Sequence, residues 1–579
     1  MTDPPPVGTA PAEEVAGPLP RSEGVTVRVD VLLWLALIAA AAALRLARLD
    51  ALPLTFDESA RAFDALRVSQ DAVPEGWSGD LTAALTSYLF RVFGESEFVA
   101  RLAPAVAGSA MVAAVWLGGR ALGRTGALAA GALLAFSPLA LLVSRSALPF
   151  SAGGLLAVVM AVALLSYLRE PRAPTAFLFA VSFGLAPSAD AVGTTAAIAV
   201  VAFLLLEPVL SRESEVARAW GVFRRSPSHW LSVGLVLIGA VELGITHFGT
   251  FVDGLELAGL AQWRDMFALP RDGRPPEYQL VLLLAYDWPV VLFGGMAVGV
   301  FVWRLRRGVR ALTSPQLFLL LWTALAALAV ALATQREAGQ LLILLPPLAL
   351  LAGLLAEQLV PALDWAVLRR WWPVAAAALA LLAYAALLTT EWSHPDFDIT
   401  GTERLYLVLA AGGAAALLVT SFSILGRHAA AVSVTVAVVL AFAFLIHTDL
   451  ALTSDDEAVE FAMDVRTTGR VEQFRETVEQ LAASRAGPIL VDPSLHEPLA
   501  WDLRDLAVTF AEAAEDAGAV VVPGGQETEG FTPLAEPWRL GEGWYPPDLD
   551  ALRLWRWLVY REPYGNLDGV DAQILVPAP

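Results

Sequence analysis

The sequence predicts a mostly α-helical, polytopic membrane bundle of about thirteen transmembrane helices with a small soluble α/β domain at its C-terminal end. Three observations lead there. Apolar residues make up 57% of the 579-residue chain and mean hydropathy is +0.60, against roughly 45–50% apolar in soluble domains, and a soluble fold cannot hide that much apolar surface. Apolar runs of 17 or more residues recur between positions 31 and 447, each long enough to cross a hydrocarbon core about 30 Å thick. From about Thr453 the chain turns polar, and short apolar strands alternate with helical patterns, as in a small α/β layer.

The spans are expected near 31–47, 98–118, 126–143, 150–167, 174–190, 191–207, 230–248, 288–304, 316–333, 340–359, 372–389, 404–424 and 430–447. Arginine placement orients them. With a cytoplasmic N-terminus, the inward loops hold Arg120 and Arg124; Arg169 and Arg172; Arg212, Arg218, Arg224 and Arg225; Arg304, Arg306, Arg307 and Arg310; Arg369 and Arg370; and Arg427. This is the positive-inside asymmetry of a multi-pass cell-membrane protein. Residues 1–30 then form a Pro- and acid-rich cytoplasmic tail ahead of an uncleaved first helix, because no small-residue cleavage site follows the apolar run. The outer side receives the loops at 48–97 and 249–287 and everything after 448. Loops of that length are uncommon unless functional, so chemistry is expected on the outer face.

The net charge of −20 comes from acids gathered in the tail, a few loops and residues 452–579, where they solubilise the chain; no nucleic-acid partner is expected. There is no lysine, and Asn566 is the single asparagine. With no cysteine the chain has no disulfide, thiolate metal site or cysteine nucleophile. Walker, dinucleotide and HExxH motifs are absent.

The first outer loop opens Leu52-Pro53-Leu54-Thr55-Phe56-Asp57-Glu58. Adjacent carboxylates at a membrane surface can ligate a divalent cation such as Mg²⁺ or Mn²⁺, or one can take a proton from an acceptor hydroxyl; a helix-capping acidic pair is the plainer alternative. A helix over Ala60–Ser69, a turn at Pro74-Glu75-Gly76 and a second helix over Leu81–Phe93 follow. Then comes Phe93-Gly94-Glu95-Ser96-Glu97, leading to Arg101-Leu102-Ala103-Pro104. This order, with Ser137-Pro138 and Ser144-Arg145 further on, resembles the glycosyltransferase C superfamily, which includes the protein O-mannosyltransferases and the aminoarabinose transferases. Tyr278 through Leu284-Ala285-Tyr286-Asp287, the stretch His496-Glu497-Pro498-Leu499-Ala500-Trp501-Asp502-Leu503-Arg504-Asp505 and the closing Trp555-Arg556-Trp557-Leu558-Val559-Tyr560-Arg561-Glu562 resemble, more narrowly, the flippase-activity-associated family of archaeal-type N-glycosylation.

That resemblance implies a polyprenyl-phosphate-linked sugar as donor, with membrane lipid around it and a glycan, lipid or protein as acceptor. It implies Asp57 as base or metal ligand, Glu58 as support for the metal, Arg145 and Arg336 as phosphate-binding groups at outer helix mouths, and Tyr286 and Asp287 as substrate-binding residues. Snorkelling to the interface is the ordinary alternative for such arginines. The chain departs from the family in three places. Arg61 stands where the family carries histidine, and either serves phosphate or marks a degenerate site. Gln335-Arg336-Glu337-Ala338-Gly339 replaces an E-K-x-P-W-like segment, and Asp287 is one methylene shorter than the usual glutamate. These departures keep open a second reading, a non-catalytic accessory protein or transporter of lipid-linked glycans.

Other polar residues are weaker candidates. Glu242 lies inside the seventh expected span, where a charge calls for a partner or a function. His247 does not share its helical face, and His394, Asp396 and Asp398 read as a solvated turn. In the tail, helices are expected over Ala458–Ala483 and Trp501–Ala517, and strands at Pro488–Val491, Ala519–Val522 and Ile574–Val576. Trp544, Tyr545, Trp555, Trp557, Tyr560 and Tyr564 are expected to serve the core more than a glycan- or membrane-binding surface.

Overall fold

The computed structural model describes residues 29–578 apart from 75–76, 78, 212, 250–256, 269–273, 276, 309–310, 394–400, 427–428, 455–458, 464, 485–486, 513–516 and 548–549. Positions 1–28 of the expected tail, part of the first loop's turn, Arg212, Arg310, Arg427 and the cluster of His394, Asp396 and Asp398 therefore lie outside the described residues.

The membrane part begins with α1 (Val29–Leu46), two surface helices α2 (Phe56–Ser69) and α3 (Leu81–Phe93), α4 (Glu97–Leu117), α5 (Arg124–Ala135) and α6 (Pro138–Ser144). It continues with α7 (Phe150–Arg169), α8 (Ala173–Ala189), α9 (Ala191–Leu210), α10 (Glu215–Arg225), α11 (Pro227–Ile245) and α12 (Ala258–Asp265). The helices α13 (Tyr278–Tyr286), α14 (Trp288–Leu305), α15 (Ser314–Leu332), α16 (Leu345–Leu359), α17 (Trp365–Ser393), α18 (Gly401–Leu425) and α19 (Ala429–Ser454) complete it.

Eleven helices among the described residues are long and apolar enough to span a membrane, or twelve when α5 and α6 count as one broken span, so the expected thirteen are not all matched. The α5–α6 axis bends by 61°. Pro138 opens α6 without an N–H to continue the ladder, and the Ser137 hydroxyl accepts from Ala140 N at 3.2 Å, capping a new helix instead. The fifth expected span, α8, has 17 residues, about 25 Å at 1.5 Å per residue and short of a full crossing.

Burial ranks the helices: the segment over Ala338–Ala362 is 89% buried, against 28% for Trp365–Trp392, so α16 is central and α17 peripheral. Close approach makes the centre. A Cβ on Gly126 would stand 2.7 Å from the Gly353 carbonyl oxygen, so only glycine lets α5 and α16 meet there. Glu242 is exposed on α11, one turn from its end.

The C-terminal region folds on a seven-stranded sheet in the order β1-β6-β7-β4-β2-β3, with β5 also on β7. Its strands are β1 (Arg466–Thr467), β2 (Ile489–Val491), β3 (Val508–Phe510), β4 (Ala519–Pro523), β5 (Phe531–Pro533), β6 (Trp538–Gly543) and β7 (Asp568–Pro577). Its helices are α20 (Arg470–Ser484), α21 (His496–Leu499) and α22 (Ala551–Tyr560). Among the described strands only the β2–β3 and β2–β4 pairs are parallel.

Two tail expectations are corrected. The helix expected from Ala458 starts at Arg470, after β1. Instead of the helix expected over Trp501–Ala517 there is a turn and then β3, where β-prone Val508, Thr509 and Phe510 pair with Ile489, Leu490 and Val491. Among the tail aromatics Trp544 and Trp557 are buried, whereas Tyr560 is exposed.

The surface helices lie between the bundle and the sheet. Phe56 joins the core beneath the sheet with Phe474 and Leu540. Ala62, Ala65 and Leu66 of α2 pack with Phe90 of α3 and with Trp501, whose indole stacks on Phe90 at 5.7 Å. Trp501 N also donates to Ser59 Oγ at 3.3 Å. The first loop and the C-terminal sheet thus share one end of the bundle.

Candidate functional site

The site is built on the start of α2. Thr55 is its N-cap: Thr55 Oγ1 accepts from Glu58 N at 3.4 Å, and Glu58 Oε2 accepts from Thr55 N at 2.8 Å, a complete capping box. This places Asp57 in the first turn, exposed, at the positive end of the helix dipole. Asp57 accepts no hydrogen bond from any described residue.

Glu58 lies in the opposite condition. It is fully buried, and Arg101 of α4 grips it bidentately, Nε to Oε1 at 2.8 Å and Nη2 to Oε2 at 2.7 Å. Ala147 N donates to Oε1 at 2.7 Å, so with Thr55 N each oxygen takes two hydrogen bonds. Arg101 spends its remaining donors on the carbonyls of Leu49 (3.0 Å), Leu52 (2.7 Å) and Pro53 (2.9 Å). All five guanidinium hydrogens and all four acceptor positions of the carboxylate are therefore used. Burial by itself would raise the Glu58 pKa; the Arg101 charge and these hydrogen bonds outweigh it and hold the carboxyl below its ordinary range. Glu58 has no lone pair left for a cation or a substrate. Its place is structural, tying the first loop to α4 and to the segment after α6.

Asp57 opens on a cleft of about 1020 Å³, open to solvent, at the junction of the first loop, α6 and the C-terminal region. Arg48, Arg145 and Arg466 bring positive charge to it, and Glu337 borders it. Leu139, Leu142, Val143 and Leu452 give it an apolar wall. Arg145 is set rigidly: Nη1 donates to the carbonyls of Leu44 (2.8 Å) and Ala47 (2.7 Å), and Nη2 to that of Arg48 (3.1 Å), at the C-terminal end of α1. Those bonds leave Nε–H and one Nη2–H for a ligand. Burial, with Arg101 and Arg48 nearby, lowers its pKa to about 10, so the group stays cationic at neutral pH.

The other expected site residues lie elsewhere. Arg61, one turn beyond Asp57, pairs with buried Asp80 at 3.0 Å and faces a neighbouring cavity. Arg336 is buried and donates to the Arg274 carbonyl at 2.7 Å. Tyr286 is buried, gives its hydroxyl hydrogen to Glu460, and packs against Phe461 and Trp557 at 5.3 and 5.4 Å. Arg561 of the C-terminal region lies over the same ring and pairs with Glu460 at 3.3 Å. Asp287 is buried, and its Oδ2 accepts from Ser137 Oγ (2.9 Å) and Leu139 N (3.1 Å), bracing the start of α6. Tyr286 and Asp287 thus fasten the C-terminal helix and the α6 break to the bundle and do not line the cleft. Among the described residues no group of three or more His, Asp and Glu side chains is arranged to hold a metal ion.

Arg101, Arg48, Arg466 and Glu337 were not singled out from sequence. Arg101 sits in the Ser96…Arg101 segment that marks the entry to the second span, a signal for Glu58's partner that only the fold converts into a contact. Glu337 lies in the Gln335–Gly339 segment, where Arg336 drew attention instead, and Arg48 and Arg466 carry no motif.

A helical bundle with surface helices after its first span, a break after its third and a small sheet at the same end is the glycosyltransferase C fold. The family model for dolichyl-phosphate-mannose-protein mannosyltransferase matches residues 81–223. The apo structure of ArnT from Cupriavidus metallidurans is similar with a TM-score of 0.50 at 15% identity, over 84% of this chain and 86% of that one. The same enzyme bound to undecaprenyl phosphate gives 0.49 at 17% identity, over 84% and 86%. The oligosaccharyltransferase AglB from Archaeoglobus fulgidus, in complex with an inhibitory peptide and a dolichol-phosphate, gives 0.47 at 12% identity, over 80% and 62%. No curated protein matches the chain in sequence. The protein is a multi-pass membrane protein that shares the fold of ArnT.

Proposed function

We propose that this protein is a membrane glycosyltransferase that moves a sugar from a polyprenyl-phosphate-linked donor to a hydroxyl of a glycan, lipid or protein acceptor at the extracytoplasmic face. In this reading residues 31–447 are the transferase body, and 448–579 form an outward-facing domain over the first loop. The observation that carries it is a single cleft holding a carboxylate that accepts no hydrogen bond from a described residue, Asp57, and a guanidinium preset by three carbonyls, Arg145, beside an apolar wall.

The chemistry follows from that pairing. The polyprenyl chain lies against Leu139, Leu142 and Val143, bringing its phosphate to the membrane surface near Arg145. Arg145 offers Nε–H and Nη2–H to the phosphate oxygens, the two-point geometry arginine favours, and stabilises the charge that grows on the leaving phosphate. Asp57 takes the proton of the acceptor hydroxyl as it attacks the anomeric carbon. The sugar–phosphate C–O bond breaks, and the polyprenyl phosphate leaves with its electron pair.

Among the described residues a divalent cation has a poor home here: Asp57 alone of the acidic pair has oxygens to give, so the described residues do not make a metal site, and no step runs through an ion.

The test is transfer by the purified full chain from defined polyprenyl-phosphate sugars, with wild type against Arg145→Ala. The reading expects turnover by the wild type and a KM for the lipid donor raised about 10- to 100-fold in the variant, the range for a lost charge-assisted hydrogen bond. No turnover with any donor, or an unchanged KM, counts against it.

A further inference from the structure

We infer that the cavity beside the cleft is a subsite for an uncharged sugar ring; this rests on the transferase reading above. The cavity holds about 330 Å³, open at one side, at the lower end of the usual range for small-ligand sites. Glu337 lines both it and the Asp57 cleft, so the two adjoin at that residue. Its polar lining is Arg61, Gln262, Asp265, Gln335, Glu337 and Gln340, with Phe150 as an apolar surface.

Charge and hydrogen bonding select the ligand class. Arg61, the one cation among the described lining residues, is engaged by the wholly buried Asp80 at 3.0 Å. Asp265 is likewise paired with Arg264 at 3.2 Å. An acidic sugar needs a cation whose charge is not already answered, and the described residues of this wall offer none. Side-chain amides, Gln262, Gln335 and Gln340, make up the uncharged polar part of the lining, and an amide hydrogen-bonds a hydroxyl of a neutral sugar without a charge to answer. Gln340 is the most constrained of them: it is buried, and Gln279 Nε2 donates to its Oε1 at 3.1 Å. That bond fixes the amide plane and leaves the Gln340 Nε2 donors for the cavity. The phosphate of a bound donor would sit at Arg145 while its sugar, or the ring of a glycan acceptor, enters past Glu337.

The experiment uses the full chain carrying Asp57→Asn, which holds donor without consuming it, and measures binding of a polyprenyl-phosphate hexose, the uronic-acid counterpart and bare polyprenyl phosphate, with and without Gln340→Ala. The hexosyl lipid should bind more tightly than the bare lipid. Gln340→Ala should erase about 3- to 10-fold of that advantage, the range for one neutral hydrogen bond, without changing affinity for the bare lipid. The uronosyl lipid should gain nothing over the bare lipid. Gln340→Glu keeps the side chain's size and should shift preference toward an amino-sugar lipid, which a packing defect would not do. If Gln340→Ala leaves donor binding intact but raises the KM for a neutral glycan acceptor in the otherwise wild-type chain, the bound ring is the acceptor's and the inference holds for that source. Equal affinity for hexosyl and bare lipid with no effect on acceptor KM, or a preference for the uronosyl lipid, overturns the subsite and leaves the transferase reading standing. Binding of none of the lipids overturns the transferase reading and the subsite together.

Discussion

Glu58→Gln separates a structural carboxylate from a catalytic one. The wild-type side chain accepts four hydrogen bonds, two from Arg101 and one each from Thr55 N and Ala147 N. Glutamine keeps one oxygen and puts an NH₂ against two of those donors, so at least two bonds become donor–donor contacts. The Arg101 guanidinium then stays buried with no carboxylate beside it. Removing one partner of a buried ion pair costs about 3–5 kcal/mol, a large share of the roughly 5–15 kcal/mol that keeps a domain folded. The expected result is a marked fall in protein abundance and in the melting temperature of the detergent-purified protein, with kcat of the surviving folded fraction close to wild type. The pH dependence has a definite sign. Because the folded carboxyl titrates below its ordinary 4.5, the stability it contributes is fully present above that pH and is lost as pH falls through the lower folded value. Wild type and variant should therefore converge only in acid, below about pH 4.5. Wild-type abundance and melting temperature combined with lost turnover would refute the reasoning and return Glu58 to the chemistry.

Three further predictions follow from the same geometry. Asp502, in the turn after Trp501, has its pKa raised to about 6 by burial, which Arg504 and Arg475 only partly oppose. The cost of keeping it buried builds as pH rises from its ordinary 3.8 through the folded value, so Asp502→Asn should raise the melting temperature most at pH 8, less at pH 5, and lose the advantage below its ordinary 3.8; an effect that does not change with pH would contradict it. Arg561→Met should loosen the C-terminal helix by removing the partner of Glu460 and the cation over Tyr286, seen as faster proteolysis of the C-terminal region in the full chain; unchanged cleavage would contradict it. Single cysteines placed at exposed Asp57 and Glu497 should react with an impermeant label in sealed cells while one at Arg224 should not, and labelling only at 224 would invert the topology.

The amount legible in the sequence differed by kind of information. Apolar run length locates the membrane helices because bilayer thickness imposes it residue by residue, and α3 falls on the expected Leu81–Phe93. The break at Ser137-Pro138 was visible as residues but not as a 61° bend, since a proline at the first turn of a helix looks the same in a straight chain. The acidic pair was readable as a pair, yet not as one bonded and one open carboxylate. That division depends on Arg101, 43 residues away, and on the Ala147 amide, 89 residues away. Asp287 looked like a substrate ligand for the same reason: its partner Ser137 lies 150 residues distant. In the tail, the helical pattern after Trp501 was overridden by a parallel strand pairing, a tertiary effect that local propensity does not encode.

The central claim is that Asp57 is the base. Asp57→Asn keeps the side chain's shape and removes its capacity to take a proton, and because the residue is exposed and accepts no hydrogen bond from a described residue, folding should hardly notice the change. Transfer from a polyprenyl-phosphate sugar by purified Asp57→Asn, normalised to protein abundance, should fall by about 10²–10⁴-fold with the KM for the lipid donor little changed. Transfer at the wild-type rate by a normally abundant Asp57→Asn protein would contradict the account and favour the non-catalytic reading.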